Sequence, residues 1–275
     1  MRPSVRHNVS IDGLPDGPPM LFAHGFGCDQ SMWHRVAPAF ADTHRVVTFD
    51  HVGAGGSDVS AYRPERYASL TAYARDMLEL IEELDLTDVV FVGHSVSAMI
   101  GVLAANMAPE RFSSLVLVGP SPRYVDEPDT GYAGGFTRAD IDGLLANMDT
   151  DFLGWSSVMA PVIMGHPDTP ELGEELTASF CRTDPAFARQ FARTTFLSDN
   201  RADLAHLTVP ALILQCREDA IAPMVVGEYV HAHLTGSELV VLDATGHCPH
   251  VSAPAETIAA IRSFLNARAG VAAAA

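Results

Sequence analysis

Three residues far apart in the chain carry the types that acyl transfer needs: Ser95, Asp219 and His247. A serine hydroxyl is a poor nucleophile near neutral pH. It needs a base within hydrogen-bond reach, and the base needs a carboxylate to orient it and to stabilise its cation. Ser95 stands in Val89-Val90-Phe91-Val92-Gly93-His94-Ser95-Val96-Ser97-Ala98, where an apolar run reads as a buried strand and small residues open a helix. This is the layout of a nucleophile elbow, which exposes a hydroxyl on a sharp strand-to-helix turn. The turn needs small residues two before and two after the nucleophile, here Gly93 and Ser97. Glycine is usual at both, so Ser97 departs from the pattern. Asp219 lies shortly after a strand ending at Gln215, and His247 follows the next strand in Asp243-Ala244-Thr245-Gly246-His247. The chain order Ser, Asp, His is the one that accompanies this elbow. Glu218 and Asp243 rival Asp219 as the acid, and His250 rivals His247. Gly246 favours His247, because glycine lets a tight loop present the ring.

Acyl transfer also needs N–H donors for the oxyanion that forms. The spacing assigns one to Val96, directly after Ser95. It assigns the other to Phe26, in His24-Gly25-Phe26-Gly27 behind the short strand Met20-Leu21-Phe22-Ala23. Asp50 and Ser57 in the next loop are expected to brace turns. Nothing reads as a metal centre. The 12 histidines are scattered, and Cys28, Cys181, Cys216 and Cys248 lack Cys-x-x-Cys spacing. Gly53-Ala54-Gly55-Gly56 lacks the Lys-Ser/Thr ending of a phosphate-binding loop. The expectation is therefore no metal and no cofactor.

Short apolar runs that alternate with helical patterns must position these groups. Strands are predicted at 20–23, 45–50, 88–95, 114–119, 209–215 and 237–242, with an edge strand over 5–11. Helices are predicted over 32–40, 70–84, 96–107 and 257–267. Continuous apolar strands belong to a sheet covered on both faces, so the fold class is α/β, with a doubly wound, mostly parallel sheet. The rhythm breaks at Ser121. From there to about Asn200 the patterns are helical, over 138–148, 152–163, 170–180 and 185–197. The expected organisation is a core of residues 1–120 and 201–275, with 121–200 as a four-helix lid over the carboxyl edge of the sheet, where ligands bind.

The formal net charge is −17, from 34 acidic and 17 basic residues, which disfavours nucleic acid and anionic membranes as partners. No apolar run reaches the roughly 18 residues of a membrane span. The opening Met1-Arg2-Pro3-Ser4-Val5-Arg6-His7 has no apolar signal segment, which points to a cytoplasmic protein with reduced thiols.

Further signatures narrow the reading. They are Gly93-His94-Ser95-Val96-Ser97, Gly134-Gly135-Phe136, Phe152-Leu153-Gly154-Trp155, Phe180-Cys181-Arg182-Thr183-Asp184-Pro185, Ala188-Arg189-Gln190-Phe191-Ala192, Leu214-Gln215-Cys216 and Gly246-His247-Cys248-Pro249-His250. With them the chain resembles the α/β-hydrolase superfamily, and within it the RsbQ-type bacterial stress-response hydrolases, relatives of the plant karrikin and strigolactone receptors. Ser97 is what these relatives carry. The resemblance implies an α/β-hydrolase core with a V-shaped helical lid and an apolar pocket lined by Phe26, Val96, Phe136, Trp155 and Phe196. It implies hydrolysis of a small hydrophobic ester or lactone-like molecule, and a phosphatase with a PAS sensor domain as partner in a general-stress pathway. The same triad would serve a slow-turnover small-molecule receptor, or a cofactor-free haloperoxidase or perhydrolase. Dehalogenation would want a carboxylate where Ser95 stands.

Overall fold

Short runs of valine, isoleucine, leucine and phenylalanine form the strands of one sheet. A computed structural model describes residues 1–274, and side chains through Gly270. The strands are β1 (Ser10–Gly13), β2 (Pro19–Ala23), β3 (Arg45–Phe49), β4 (Val89–His94), β5 (Phe112–Val118), β6 (Ala211–Glu218) and β7 (Glu238–Thr245). Their order is β1-β3-β2-β4-β5-β6-β7. β1 runs antiparallel to β3, and the other pairs are parallel. The helices are α1 (Pro3–Arg6), α2 (Leu70–Glu83), α3 (Val96–Met107), α4 (Arg138–Thr150), α5 (Phe152–Met164), α6 (Pro170–Arg182), α7 (Pro185–Phe196), α8 (Arg201–Leu204), α9 (Met224–His233), α10 (Pro249–Ser252) and α11 (Pro254–Ala274).

The period-two alternation of strands sorts the core into two layers. Leu21, Val47, Phe91, Leu115 and Ile213 point to one face, where Tyr73, Met77 and Leu80 of α2 and Val102 of α3 cover them. Met20, Phe22, Val46, Val92 and Leu214 point to the other, against Trp33, Phe40 and Ile261 and Phe264 of α11. Helices α4 to α7 bury a third cluster of their own, including Ile141, Phe152, Trp155, Leu176 and Phe180. Tyr124, Ile221 and Cys248 join it from loops that follow β5, β6 and β7. The helical insertion therefore sits on the carboxyl edge of the sheet. Among the described residues no helix is long and apolar enough to cross a membrane.

Two local expectations change. The alternation over 5–11 does not start a strand until Ser10. Pro3 opens a helical turn instead, and Glu83 of α2 holds it by accepting from Ser4 N–H at 2.6 Å and Ser4 Oγ at 2.8 Å. The helix expected over 32–40 is two separate 3-10 turns, Gln30–Trp33 and Ala37–Phe40. Pro38 lacks the N–H that a continuous helix would need.

Candidate active site

β4 delivers Ser95 at its carboxyl end, and α3 begins at the next residue. Ser95 has φ 56° and ψ −123°, a strained conformation for a residue with a Cβ. Its N–H donates to Val118 O at 2.8 Å, which anchors the turn to β5. A Cβ at Gly93 would sit 2.6 Å from both the Phe91 ring and Ser97 O, so only glycine fits there.

The histidine and the acid arrive from separate loops. His247 Nδ1 lies 2.7 Å from Asp219 Oδ2, and His247 Nε2 lies 2.8 Å from Ser95 Oγ. A carboxylate only accepts, so Nδ1 carries the proton and Nε2 is left to accept from the serine hydroxyl. The other carboxylate oxygen, Asp219 Oδ1, accepts from the N–H groups of Ile221 at 2.8 Å and Ala222 at 3.0 Å. The structure thus brings Ser95, His247 and Asp219 into one line. Glu218 is exposed, and Asp243 pairs with Arg217 instead, at 3.1 Å.

The His247 loop is tied to the helical insertion. His247 N–H donates to Ile163 O of α5 at 2.8 Å, and Gly246 N–H donates to Glu218 O at 2.7 Å. Gly246 has φ 88°, and a Cβ there would fall 1.9 Å from Met164 O. Gly246→Ala is expected to cost about 2 kcal/mol or more in urea unfolding, from left-handed backbone strain plus the clash.

The loop before the elbow has its own lock. His51 N–H donates to His24 Nε2 at 3.1 Å, so His24 donates from Nδ1 to Gly25 O at 2.8 Å. Ser97 Oγ donates to His24 O at 2.5 Å, which explains a serine where glycine is usual. A Cβ on Gly25 would meet His94 Nδ1 at 2.5 Å and Ser95 Cβ at 3.2 Å, so this loop lies directly on the elbow. The N–H groups of Phe26 and Val96 donate to no acceptor among the described residues. They are available to an oxyanion.

A second serine–histidine contact, His51 Nε2 to Ser97 Oγ at 2.7 Å, has different chemistry. Ser97 already donates to His24 O, so His51 must donate to Ser97 and cannot act as its base. Ser97 is fully buried, and no carboxylate bonds to His51. This contact braces the elbow.

Behind His247 lies a stack of buried rings. His94 Nε2 donates to His247 O at 2.8 Å. The His94 ring centroid lies 4.4 Å from that of His250, which lies 4.5 Å from that of Trp33. Burial, and then the neighbouring His247 and His34, push the His250 pKa down to about 3. Burial also holds His94 and His51 well below the ordinary histidine value. In the unfolded chain these rings take protons near pH 6.5, which the folded chain refuses until far lower. Their contribution to stability is complete above pH 6.5 and is lost as pH falls. For His250 alone the loss at pH 5 is about 2 kcal/mol, at about 1.4 kcal/mol per unit. Urea midpoints are expected to fall steeply between pH 6.5 and 5, and His250→Phe to flatten the fall. A flat wild-type profile would contradict neutral, buried rings.

A cavity of about 30 Å³ lies over Ser95. Phe26, Trp155 and Phe196 line it. The Phe26 ring lies 6.4 Å from Trp155, 5.7 Å from Phe180 and 5.8 Å from Phe196, centroid to centroid. Phe136 and the Val96 side chain are not on the cavity wall. Phe136 is half-buried against the third cluster, and its N–H donates to Tyr124 O at 3.2 Å while its carbonyl accepts from Asp126 N–H at 2.8 Å. Residues that the sequence reading missed include Tyr124, Leu144, Met159, Phe180 and Thr195. Burial pushes the Tyr124 phenol up to about 12, while the neighbouring Ser95 pulls the other way. The position of Tyr124, just past β5 at the carboxyl edge, was the available signal.

A family model described as Alpha/beta hydrolase family matches residues 20–261. Karrikin insensitive 2 receptor CA of Petunia hybrida is 39% identical over 249 residues, covering 90% of this chain and 91% of that protein. Strigolactone esterase RMS3 of Pisum sativum is 38% identical over 248 residues, covering 90% and 92%. Among solved structures, a hydrolase from Oleispira antarctica shares 38% identity with a TM-score of 0.92, covering 96% of each chain. Profile, sequence and fold agree: the chain belongs to the alpha/beta hydrolase family, in the group that contains the karrikin and strigolactone receptors.

Proposed function

We propose that this protein hydrolyses a small hydrophobic ester or lactone-like molecule through an acyl-enzyme on Ser95. The observation that carries the reading is the continuous line from Asp219 Oδ2 through His247 to Ser95 Oγ, with contacts of 2.7 and 2.8 Å, at the floor of an apolar cavity. His247 Nε2 takes the hydroxyl proton as Oγ attacks the acyl carbonyl. The Phe26 and Val96 N–H groups receive the oxyanion. His247 then gives the proton to the leaving alkoxide and later activates water to release the acid. Asp219 holds His247 in the tautomer this needs and stabilises its cation. Residues 121–200 serve as the lid that keeps bulk water from the reaction.

A second reading has the protein bind and slowly turn over a small signal molecule. The mostly apolar cavity lining suits holding such a molecule. The receptor names among similar proteins support it too. The RsbQ-type motifs extend this reading to bacterial stress signalling, with a PAS-domain phosphatase as partner.

Short-chain nitrophenyl esters and a butenolide, with product release and intact protein mass followed together, test both. Rapid turnover without an adduct supports the esterase. Slow turnover with a persistent adduct that Ser95→Ala lacks supports the sensor. Release that proceeds equally with Ser95→Ala refutes the acyl-enzyme.

A further inference from the structure

Thr195 lies on α7, just before Phe196, and lines the cavity over Ser95. It is 1% exposed, and its Oγ1 has no hydrogen-bond partner. Buried hydroxyls are nearly always bonded, because an unbonded one forfeits its hydration with nothing in return. A hydroxyl within a helix usually bonds to the carbonyl one turn back. Ser156 does so to Phe152 O at 2.7 Å, and Thr177 to Gly173 O at 2.8 Å. Thr195 does not. Three cavity-lining residues carry hydroxyls: Ser95, Tyr124 and Thr195. Ser95 is engaged by His247, and Tyr124 lies against Ser95. Among these three, the Thr195 hydroxyl is the one left buried without a partner.

We propose that Thr195 sets substrate specificity, its hydroxyl bonding a second polar atom of the substrate away from the scissile ester. The preferred substrate is then not a plain hydrocarbon ester. It carries a ketone, ether or further ring oxygen on an otherwise apolar frame. A site that leaves a buried hydroxyl unpaired discriminates against ligands without the matching group. This inference rests on the ester-hydrolase reading above.

The test compares wild type, Thr195→Val and Thr195→Ser on nitrophenyl pentanoate, its γ-keto counterpart nitrophenyl levulinate and its ether counterpart. Valine keeps the shape of threonine and drops the hydroxyl. Wild type is expected to favour an oxygen-bearing ester at least about tenfold in kcat/KM. Thr195→Val should lose that tenfold and gain on the pentanoate, inverting the order, and Thr195→Ser should restore it. The Tm of Thr195→Val should equal or exceed that of wild type, since only an unbonded hydroxyl is removed. Parallel losses on all esters, no oxygen preference in wild type, or a Tm lowered by several degrees would each overturn the proposal. If Ser95→Ala matches wild type on every ester, the hydrolase reading itself fails and the specificity proposal falls with it. The Tm result still reports separately on the hydroxyl.

Discussion

Ser95→Ala is expected to lower kcat/KM for nitrophenyl esters by at least about 10⁴-fold while the protein melts within a few degrees of wild type. Removing the nucleophile of such a triad leaves only what the oxyanion donors and binding supply. The side chain's structural duties are light. Its Oγ bonds to His247, and the anchoring bond to Val118 O comes from the backbone N–H, which alanine keeps. Alanine also tolerates the φ of 56° no worse than serine does. Steady-state kinetics and a thermal melt on the same preparation check both halves. Residual activity above a tenth of wild type would place the nucleophile elsewhere.

Asp219→Asn is expected to cost about 10⁴-fold in kcat, with a much smaller effect on KM. The amide can still accept from Ile221 and Ala222 through its oxygen, as Asp219 Oδ1 does now. Its NH₂ group then faces His247 Nδ1. Two donors cannot share that contact, so the ring changes tautomer, and Nε2 carries a proton where it should accept one from Ser95. Glu218→Gln, one residue earlier on exposed strand end, is the control and should stay within about threefold of wild type. Equal losses in the two variants would mean that the loop, rather than the Asp219 carboxylate, matters.

The parts of this site that repeat along the chain were legible before any coordinates. Apolar runs located β2 to β7, and helical spacing found α4 to α7 with boundaries off by only a residue or two. Ser95, Asp219 and His247 followed from position relative to those strands. What escaped depends on where side chains point once packed. Tyr124 and Thr195 reach the cavity, whereas Phe136 packs half-buried against the α4 to α7 cluster without lining it. No local pattern distinguishes these outcomes. Helix α9 was missed because its residues Met224–His233 bury little beyond Val226, Gly227 and Val230, which leaves a weak stripe. Pro38, near the start of the second turn, was a readable signal against one continuous helix there.

The hydrogen bond from His247 N–H to Ile163 O has a consequence for timing. Trp155 of α5, Phe180 of α6 and Phe196 of α7 line the cavity over Ser95, so a shift of these helices changes the room above the serine. The end of α5 also holds the backbone of His247. Displacing a reacting group by about 1 Å can cost about 10²-fold in rate. A movement of α5 that widens the cavity is therefore expected to pull His247 away from Ser95 at the same time.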